Sequence, residues 1–433
     1  MEVRIWGVRK SWFRTTAFPL FLIIVCPPTT IVLWMIVVHH GGSVADFVRT
    51  VTWAEVAQRF PRPSFAAAKI LGAFAALELC LLVVVPGKTH LGPVTPMGNR
   101  PRYKLNGVAA FVLTHALLWA AAYPLGLFSP TIVYDHFGSI LVTSSLFALL
   151  FCAFLYVKGT YFPSTTDASR SGNPVFDYYW GVELHPSLLG VNLKQLVNCR
   201  IALMGWSVIL LSFAAKQTQL HGHLGSAMLV SVALQVIYIF KFFVWEGGYF
   251  HTLDIMHDRF GFYICWGVLA WLPCVYTLVG LYLVDHPIDL PGPVAAAIFV
   301  VGVAAIAVNY QADAQRQRVR ATGGATTVAG RPPELIRARY TTGDGQTHES
   351  LLLVSGWWGV SRHFHYLPEI LLSLAWTLPT LFTHALPYFY VFYLTILLVD
   401  RAGRDELRCA QKYGRYWEEY RARVPWKIVP GVY

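Results

Sequence analysis

Arg316 and Arg320 stand one helical turn apart in "QADAQRQRVRATGGATTVAGRPPELIRARYTTGDG" (311–345), so their guanidinium groups can converge on one anion. Arginine suits phosphate because its planar fork makes paired, charge-assisted hydrogen bonds. Gly323, Gly324 and Gly330 would let backbone approach such a group, although glycine runs also serve as plain linker and the arginines alone also read as a solvated charge run. The tail "DRAGRDELRCAQKYGRYWEEYRARVPWKIVPGVY" repeats the theme. Asp405, Cys409 and Lys412/Tyr413 fall at i, i+4 and i+7/i+8, with Arg401 one turn before and Tyr420 further on. That stripe is polar and aromatic, so it is not a core face. Guanidinium groups for phosphate, rings for a base and a carboxylate for ribose or amide groups are what an adenosine phosphate requires. A basic amphipathic helix lying on lipid headgroups accounts for the same stripe.

"SGWWGVSRHFHY" (355–366) sets the paired indoles of Trp357 and Trp358 beside Arg362, His363, His365 and Tyr366. A lipid-facing helix would not carry that polar load, and a solvated loop rarely needs two adjacent indoles. Polar residues also intrude into the apolar stretch "LQVIYIFKFFVWEGGYF" (234–250). There Tyr238 and Lys241 share a face, and Glu246 lies two turns on from Tyr238. Ionisable groups at membrane depth are costly and default to function. The competing account is interfacial, with Lys241 and Glu246 snorkelling and Tyr238 in an aromatic belt. In "HTLDIMHDRFGFY", His251, Asp254 and His257 recur at i, i+3 and i+6, with Asp258 beside them. That spacing suits a metal, but bundle metal sites recruit ligands from several helices. No second such helix is evident, so helix capping at the membrane surface is favoured and no metal is expected.

The elements that must position these groups are apolar. The chain has 433 residues, 55% hydrophobic and 13% charged, with a mean hydropathy of +0.49. A soluble protein carries roughly 25% charged residues. Runs long enough to cross a hydrocarbon core recur at 17–39, 65–86, 106–128, 138–157, 201–217, 226–245, 261–284, 290–310, 365–383 and 384–399. They predict an all-α, polytopic membrane protein of about ten transmembrane helices, since helices satisfy their own backbone groups in lipid. The net charge of +11 collects in Arg4–Arg14, Lys88–Lys104, Lys158–Arg200, Arg316–Arg339 and the tail after Arg401, whereas 129–137 and 285–291 carry no Lys or Arg. That asymmetry places both termini and the large loops in the cytoplasm and reads as topology, not as nucleic-acid binding. Residues 17–39 lack a small-residue cleavage site, so a retained helix is expected in place of a signal peptide. The seven cysteines are scattered without a C-x-x-C pair, which argues against a disulfide framework or zinc site. No internal repeat, P-loop or G-x-G-x-x-G is present.

Six segments in order carry a family likeness: "GNPVFDYYWGVELHP" (172–186), "LSFAAKQ" (211–217), "LDIMHDRFGFY" (253–263), "LLVSGWWGVSRHFHYLPE" (352–369), "LPYFYVFYLTILL" (386–398) and "RDELRCAQKYGRYWEEY" (404–420). The chain resembles the sterol reductases that reduce ring double bonds with NADPH, most nearly the sterol Δ7 type and its plant form, which also reads "RHFHY-x-PE". The likeness covers about residues 18–433. It departs from most members at His365, where Asn is usual, and at Pro368-Glu369, where Gly-Asp is usual. The resemblance implies a single integral-membrane domain over 1–433, with N-terminal helices in 1–200 and a catalytic half in 201–433 holding the sterol and a cytoplasmic-side NADPH pocket. It implies NADPH contacts at Arg316 (commonly Lys), Arg320, Leu353, Trp358, His365, Tyr366, Asp405, Cys409, Ala410, Gln411, Lys412, Tyr413 and Tyr420.

A sterol ring double bond is not polarised, so the resemblance implies protonation of one carbon followed by hydride transfer to its neighbour. Tyr238 matches the family tyrosine proposed as the acid. Lys241 and Glu246 would orient or reprotonate it, although Asp is frequent at position 241. The partners implied are a sterol, the lipid bilayer and other enzymes of sterol biosynthesis. The location implied is the endoplasmic reticulum membrane, or the inner membrane in a bacterium. Δ14 and Δ24-type reductases share the cofactor half and stay open as alternatives. An isoprenylcysteine-methyltransferase-like enzyme shares a basic-His-aromatic motif and a Tyr-rich tail, but it is shorter and lacks "SGWWG" and the paired arginines. A non-catalytic sterol-binding scaffold would usually carry an added soluble domain, where about 16 residues precede the first helix here.

Overall fold

The computed structural model describes residues 11–433, so most of the Arg4–Arg14 basic cluster lies outside the described residues. Within them, seven helices are long and apolar enough to cross a membrane: Phe13–His40, Phe65–Val84, Phe137–Tyr161, Gln195–His221, Ser226–Val244, Phe262–Asp285 and Gly292–Ala321. This corrects the expected ten. Gly107–Ala122 has 16 residues, which at a 1.5 Å rise reaches only about 24 Å of a core roughly 30 Å thick. Tyr366–Thr377 has 12 residues, and a short 3₁₀ turn, Leu378–Thr380, ends it. Phe389–Tyr413 is 25 residues long but turns polar from Asp400 onward.

Local chemistry sets the ends of these helices. Ser64 Oγ accepts from the Ala67 amide at 3.1 Å and opens Phe65–Val84. Gly41, left-handed at φ +56°, closes Phe18–His40 while the Gly42 amide returns to Ile36 O. Three of the described spans contain π-helical turns, Phe13–Ala17, Gln195–Ala202 and Gly267–Trp271. Such widened turns are frequent at functional sites, and Asn198 and Val268 on them line the cavity described below.

Among the described residues the fold departs from an all-helical one in three two-stranded antiparallel hairpins. The largest pairs Leu335–Thr341 with Thr347–Leu353, Ala338 opposite Ser350. Ile336, Ala338, Leu352 and Val354 pack on Cys409, Tyr413, Trp417 and Tyr420 of the last two helices, Phe389–Tyr413 and Arg415–Arg423, and on Val424 just beyond them. Helix Gly292–Ala321 continues past residue 310 and carries both arginines, so the first part of 311–345 is helical. Tyr366–Thr377 packs against that helix and against Ser226–Val244 and Phe389–Tyr413. The main apolar core, with Trp206, Phe213, Tyr282 and Trp376 among its buried members, surrounds this junction.

Candidate active site

The four helices just named and the hairpin enclose a cavity of about 770 Å³, within the roughly 300–1,000 Å³ usual for small-molecule sites. One part is basic: Arg316, Arg320, Arg408 and Lys412 line it together with Tyr340, Asp405, Cys409, Tyr413 and Tyr420. Another part is apolar and aromatic: Trp206, Val268, Leu272, Tyr276, Tyr390, Leu394 and Leu398. Residues 93–96, Arg100 and Asn198 also reach the lining, so the cavity is not built from 201–433 alone.

The basic part rests on a stacked scaffold. Arg316 lies 3.9 Å over the Trp358 ring, and Arg320 Nε donates to Leu351 O at 3.3 Å, tying it to the hairpin. Lys412 Nζ sits 3.9 Å over the Tyr340 ring. Trp358 is fixed by its own donors and acceptors: Nε1 donates to Ala312 O at 2.7 Å, and its carbonyl accepts from Tyr420 at 3.3 Å. Gly356 makes the approach possible at φ +62°, because a Cβ there would fall 2.4 Å from Gln315 Oε1, the atom that receives the Trp357 amide. The string 355–366 serves two roles. Ser361, Arg362 and His363 bond the chain at 424–428: Arg362 N–H to Trp426 O, His363 N–H to Lys427 O and Ser361 Oγ to Ile428 O. Arg362 also ion-pairs with Glu406 at 2.6 Å and donates to the carbonyls of Val424 and Pro425. Arg362 and His363 also reach the cavity lining, which Trp358, His365 and Tyr366 continue, with His365 5.0 Å from Trp358 and 4.3 Å from Tyr366 by ring centres.

Charges near the arginines are already tuned. Burial pushes the His363 imidazole down to about 4, with Arg316, Arg362 and Arg401 acting in the same sense. Against the desolvation of burial, Arg408 and His363 hold the Asp405 carboxyl well below the usual carboxylate range. Arg408 pairs with Asp405 at 2.8 Å, and His363 Nε2 stands 4.0 Å from it. Several buried polar atoms make no hydrogen bond here: His363 Nε2, His365 Nδ1, Arg401 Nε and Trp417 Nε1. Buried donors without partners are costly. This donor set fits a ligand that is anionic at one end and bears rings.

Tyr238 joins the two parts. Its ring packs on Trp206 and Trp376, at centroid distances of 6.0 and 5.9 Å. Its hydroxyl donates to Glu369 Oε1. Asn309 Nδ2 donates to Glu369 Oε2 at 2.9 Å and to His365 O at 3.0 Å, while Lys241 Nζ donates to Asn309 Oδ1. Lys241 lies 5.3 Å from the Tyr238 ring.

Of the predicted catalytic set, Tyr238 and Lys241 line the cavity and Glu246 does not. The helix ends at Val244, and Trp245 turns the chain at φ −104°, ψ +19°, so Glu246 leaves the face that Tyr238 occupies. It ion-pairs with buried Arg200 at 2.5 Å and accepts from the Gly107 amide at 3.1 Å. Of the predicted cofactor set, Arg316, Arg320, Leu353, Trp358, His365, Tyr366, Asp405, Cys409, Lys412, Tyr413 and Tyr420 line the cavity. Ala410 and Gln411 do not, because they fall on the exposed side of the same helix. The acidic residues after His251 serve neither as caps nor as a ligand cluster. Asp254 pairs with Arg401 and Asp258 with Arg404, both at 2.8 Å, and His257 shares the Asp258 oxygen at 2.9 Å. Among the described residues no group of three or more His, Cys, Asp or Glu gathers to hold a metal ion. Glu369 and Asn309 are central to the site and were not singled out from sequence as functional. The Pro-Glu departure at 368–369 was the available signal for the first; a buried Asn in an apolar span was the signal for the second.

Residues 7–433 match the model of the "Ergosterol biosynthesis ERG4/ERG24 family". The chain is 46% identical over 424 residues to a protein of Arabidopsis thaliana named 7-dehydrocholesterol reductase, covering 97% of this chain and 98% of that one. It is 37% identical over 393 residues to the 7-dehydrocholesterol reductase of Xenopus laevis, covering 88% and 83%. It is 35% identical over 428 residues to a Delta(14)-sterol reductase of Methylotuvimicrobium alcaliphilum, covering 99% and 96%.

Proposed function

Because the chain belongs to the ERG4/ERG24 family of ergosterol biosynthesis, we propose that its cavity takes NADPH in the basic part and a sterol in the apolar part. The protein is a sterol-ring double-bond reductase and a multi-pass integral membrane protein. The bond favoured is C7–C8 of a 7-dehydrosterol, since relatives matching most of the chain are named for 7-dehydrocholesterol. The Δ14 bond is the second reading, because a relative covered almost end to end is named for it. The endoplasmic reticulum membrane is the location that goes with the favoured reading. The observation that supports it is the junction at Tyr238, where one side chain touches both the aromatic wall and the polar network leading to His365.

Arg316 and Arg320 would hold the 2′-phosphate that distinguishes NADPH from NADH, and Arg408, Lys412 and Asp405 the remaining polar groups. Tyr413 and Tyr420 offer rings to the base; Trp358, His365 and Tyr366 wall the nicotinamide. NADPH, when bound, supplies hydride. Tyr238 acts as the acid: a phenol ionises near pH 10 and keeps its proton at neutral pH. Trp206, Tyr276 and Tyr390 exclude water from the carbon that becomes cationic. Incubating membranes that contain the protein with NADPH and separate Δ5,7, Δ8,14 and Δ24 sterols tests the reading. Consumption of the Δ5,7 sterol is expected. Consumption of the Δ8,14 sterol alone would transfer the assignment to the second reading, and consumption of none would remove both.

A further inference from the structure

A hydroxyl has one proton, and in this structure the Tyr238 proton points at Glu369. Directed there, it is not directed at a sterol carbon. To serve as the acid, the phenol must swing its O–H into the cavity, which leaves its oxygen facing Glu369 with lone pairs only. An ionised carboxylate opposite those lone pairs is repulsive; a carboxylic acid supplies an O–H and closes the bond in the reverse sense. The rest of the network is built to receive the charge that such a reversal leaves behind. Asn309 donates to the other carboxyl oxygen at 2.9 Å, and Lys241 grips the Asn309 carbonyl. The ionisable groups facing Glu369 from the helices packed around it are Tyr238 and Lys241, Asp313, and Arg401 with Tyr390.

We infer that Glu369 is the proton reservoir of the reduction, a positioning residue that turns the Tyr238 proton toward the substrate and replaces it. The reactive state holds Glu369 protonated and donating to the phenol oxygen. The π pair of the ring double bond takes the Tyr238 proton, forming one C–H bond and leaving a cation on the adjacent carbon. As the phenol O–H breaks, the Glu369 O–H breaks too and its proton restores the phenol. The negative charge rests on the carboxylate, beside the Asn309 amide and within the field of Lys241. Hydride from the reductant assigned above completes the saturated bond, and one proton from water restores Glu369. The inference rests on the reading of Tyr238 as the acid. It also gives the Glu at position 369 a chemical role.

The test compares wild type, Glu369→Gln, Glu369→Asp and Tyr238→Phe at saturating NADPH and sterol across about pH 5.5–9, where kcat reports ionisations in the bound complex. NADPH affinity is measured separately by quenching of tryptophan fluorescence. Glutamine keeps an acceptor for the phenol but has no acidic proton. Wild-type kcat is expected to fall as pH rises and Glu369 loses its proton. Glu369→Gln is expected to lower kcat by about 10²–10⁴-fold, the scale of a general acid, with that alkaline fall abolished and NADPH affinity kept. Glu369→Asp is expected to retain turnover with the alkaline fall displaced on the pH axis. A glutamine variant with wild-type kcat and an unmoved pH profile overturns the inference. If that variant no longer binds NADPH, the aspartate variant decides, and an unmoved alkaline fall there overturns it equally. Tyr238→Phe separates the two levels. A slow phenylalanine variant beside an unimpaired glutamine variant sinks only the reservoir, whereas wild-type turnover by Tyr238→Phe sinks the assignment of the acid itself.

Discussion

Arg316 and Arg320 give the most direct test at the scale of single residues. Both line the basic part of the cavity from consecutive turns of one helix. Removing either guanidinium should raise KM for NADPH by the equivalent of roughly 1.5–3 kcal/mol, the worth of a hydrogen bond to a charged group. KM for NADH should move much less. Steady-state kinetics with both dinucleotides check this, and equal losses would show that the pair does not read a 2′-phosphate. Arg320 also bonds Leu351 O, so its variant carries an added risk to the hairpin that Arg316→Ala does not. The spacing of these arginines was legible because both lie on one regular helix, where sequence separation translates into direction. The same logic failed at Glu246. It assumed a helix running on to residue 246, but the helix ends at Val244. The true partner, Arg200, lies on another span, and no local pattern could have pointed to it.

At the scale of elements, that lost catalytic residue becomes a clamp. Glu246 accepts from the Gly107 amide at the start of Gly107–Ala122, while Arg200 donates to Asn106 Oδ1 at 2.8 Å. Asn106 Nδ2 in turn reaches the carbonyls of Leu81, Leu82 and Val85 at the end of Phe65–Val84. Three helices and a widened turn therefore meet on one buried ion pair. Gly107 must be glycine here, because a Cβ would fall 2.7 Å from Glu246 Oε2 and 2.6 Å from the Phe243 ring. Breaking one side of such a pair costs about 3–5 kcal/mol, since the remaining charge is left buried alone. Glu246→Gln should therefore lower the thermal inactivation temperature in detergent while kcat per folded molecule stays near wild type. A large fall in kcat with unchanged stability would return Glu246 to the chemistry. The hairpin of 335–353 carried a readable signal. Ile336 and Ala338 alternate inward with outward Arg337 and Arg339, and "TTGDGQ" supplies a turn. Span lengths were less readable, because an apolar run shows where a helix lies but not whether its ends stop short or turn polar.

At the scale of the whole molecule, stability and pH are linked through the cavity wall. Burial pushes both His363 and His251 down to about 4, whereas a free imidazole titrates near 6.5. Between those values the unfolded chain binds protons that the folded chain refuses, so stability falls as pH falls through this window. Asp405, held below the usual carboxylate range, adds a further loss only once pH drops below about 4. The melting temperature in detergent should decline from pH 7 toward pH 4.5, and His363→Asn should make that decline shallower; an unchanged slope would mean that His363 is not the group being titrated. The seam between 361–363 and 424–428 has a consequence of another kind. The seven described spans all precede residue 322, and one wall of the cavity is sewn to residues synthesised long after the last of them. Membrane insertion and closure of the cavity are thus expected to be separable in biogenesis: a nascent chain already threaded through the bilayer lacks this wall until the segment 424–428 leaves the ribosome and closes the seam. A nonsense change near residue 424 would give a normally inserted protein with no reductase.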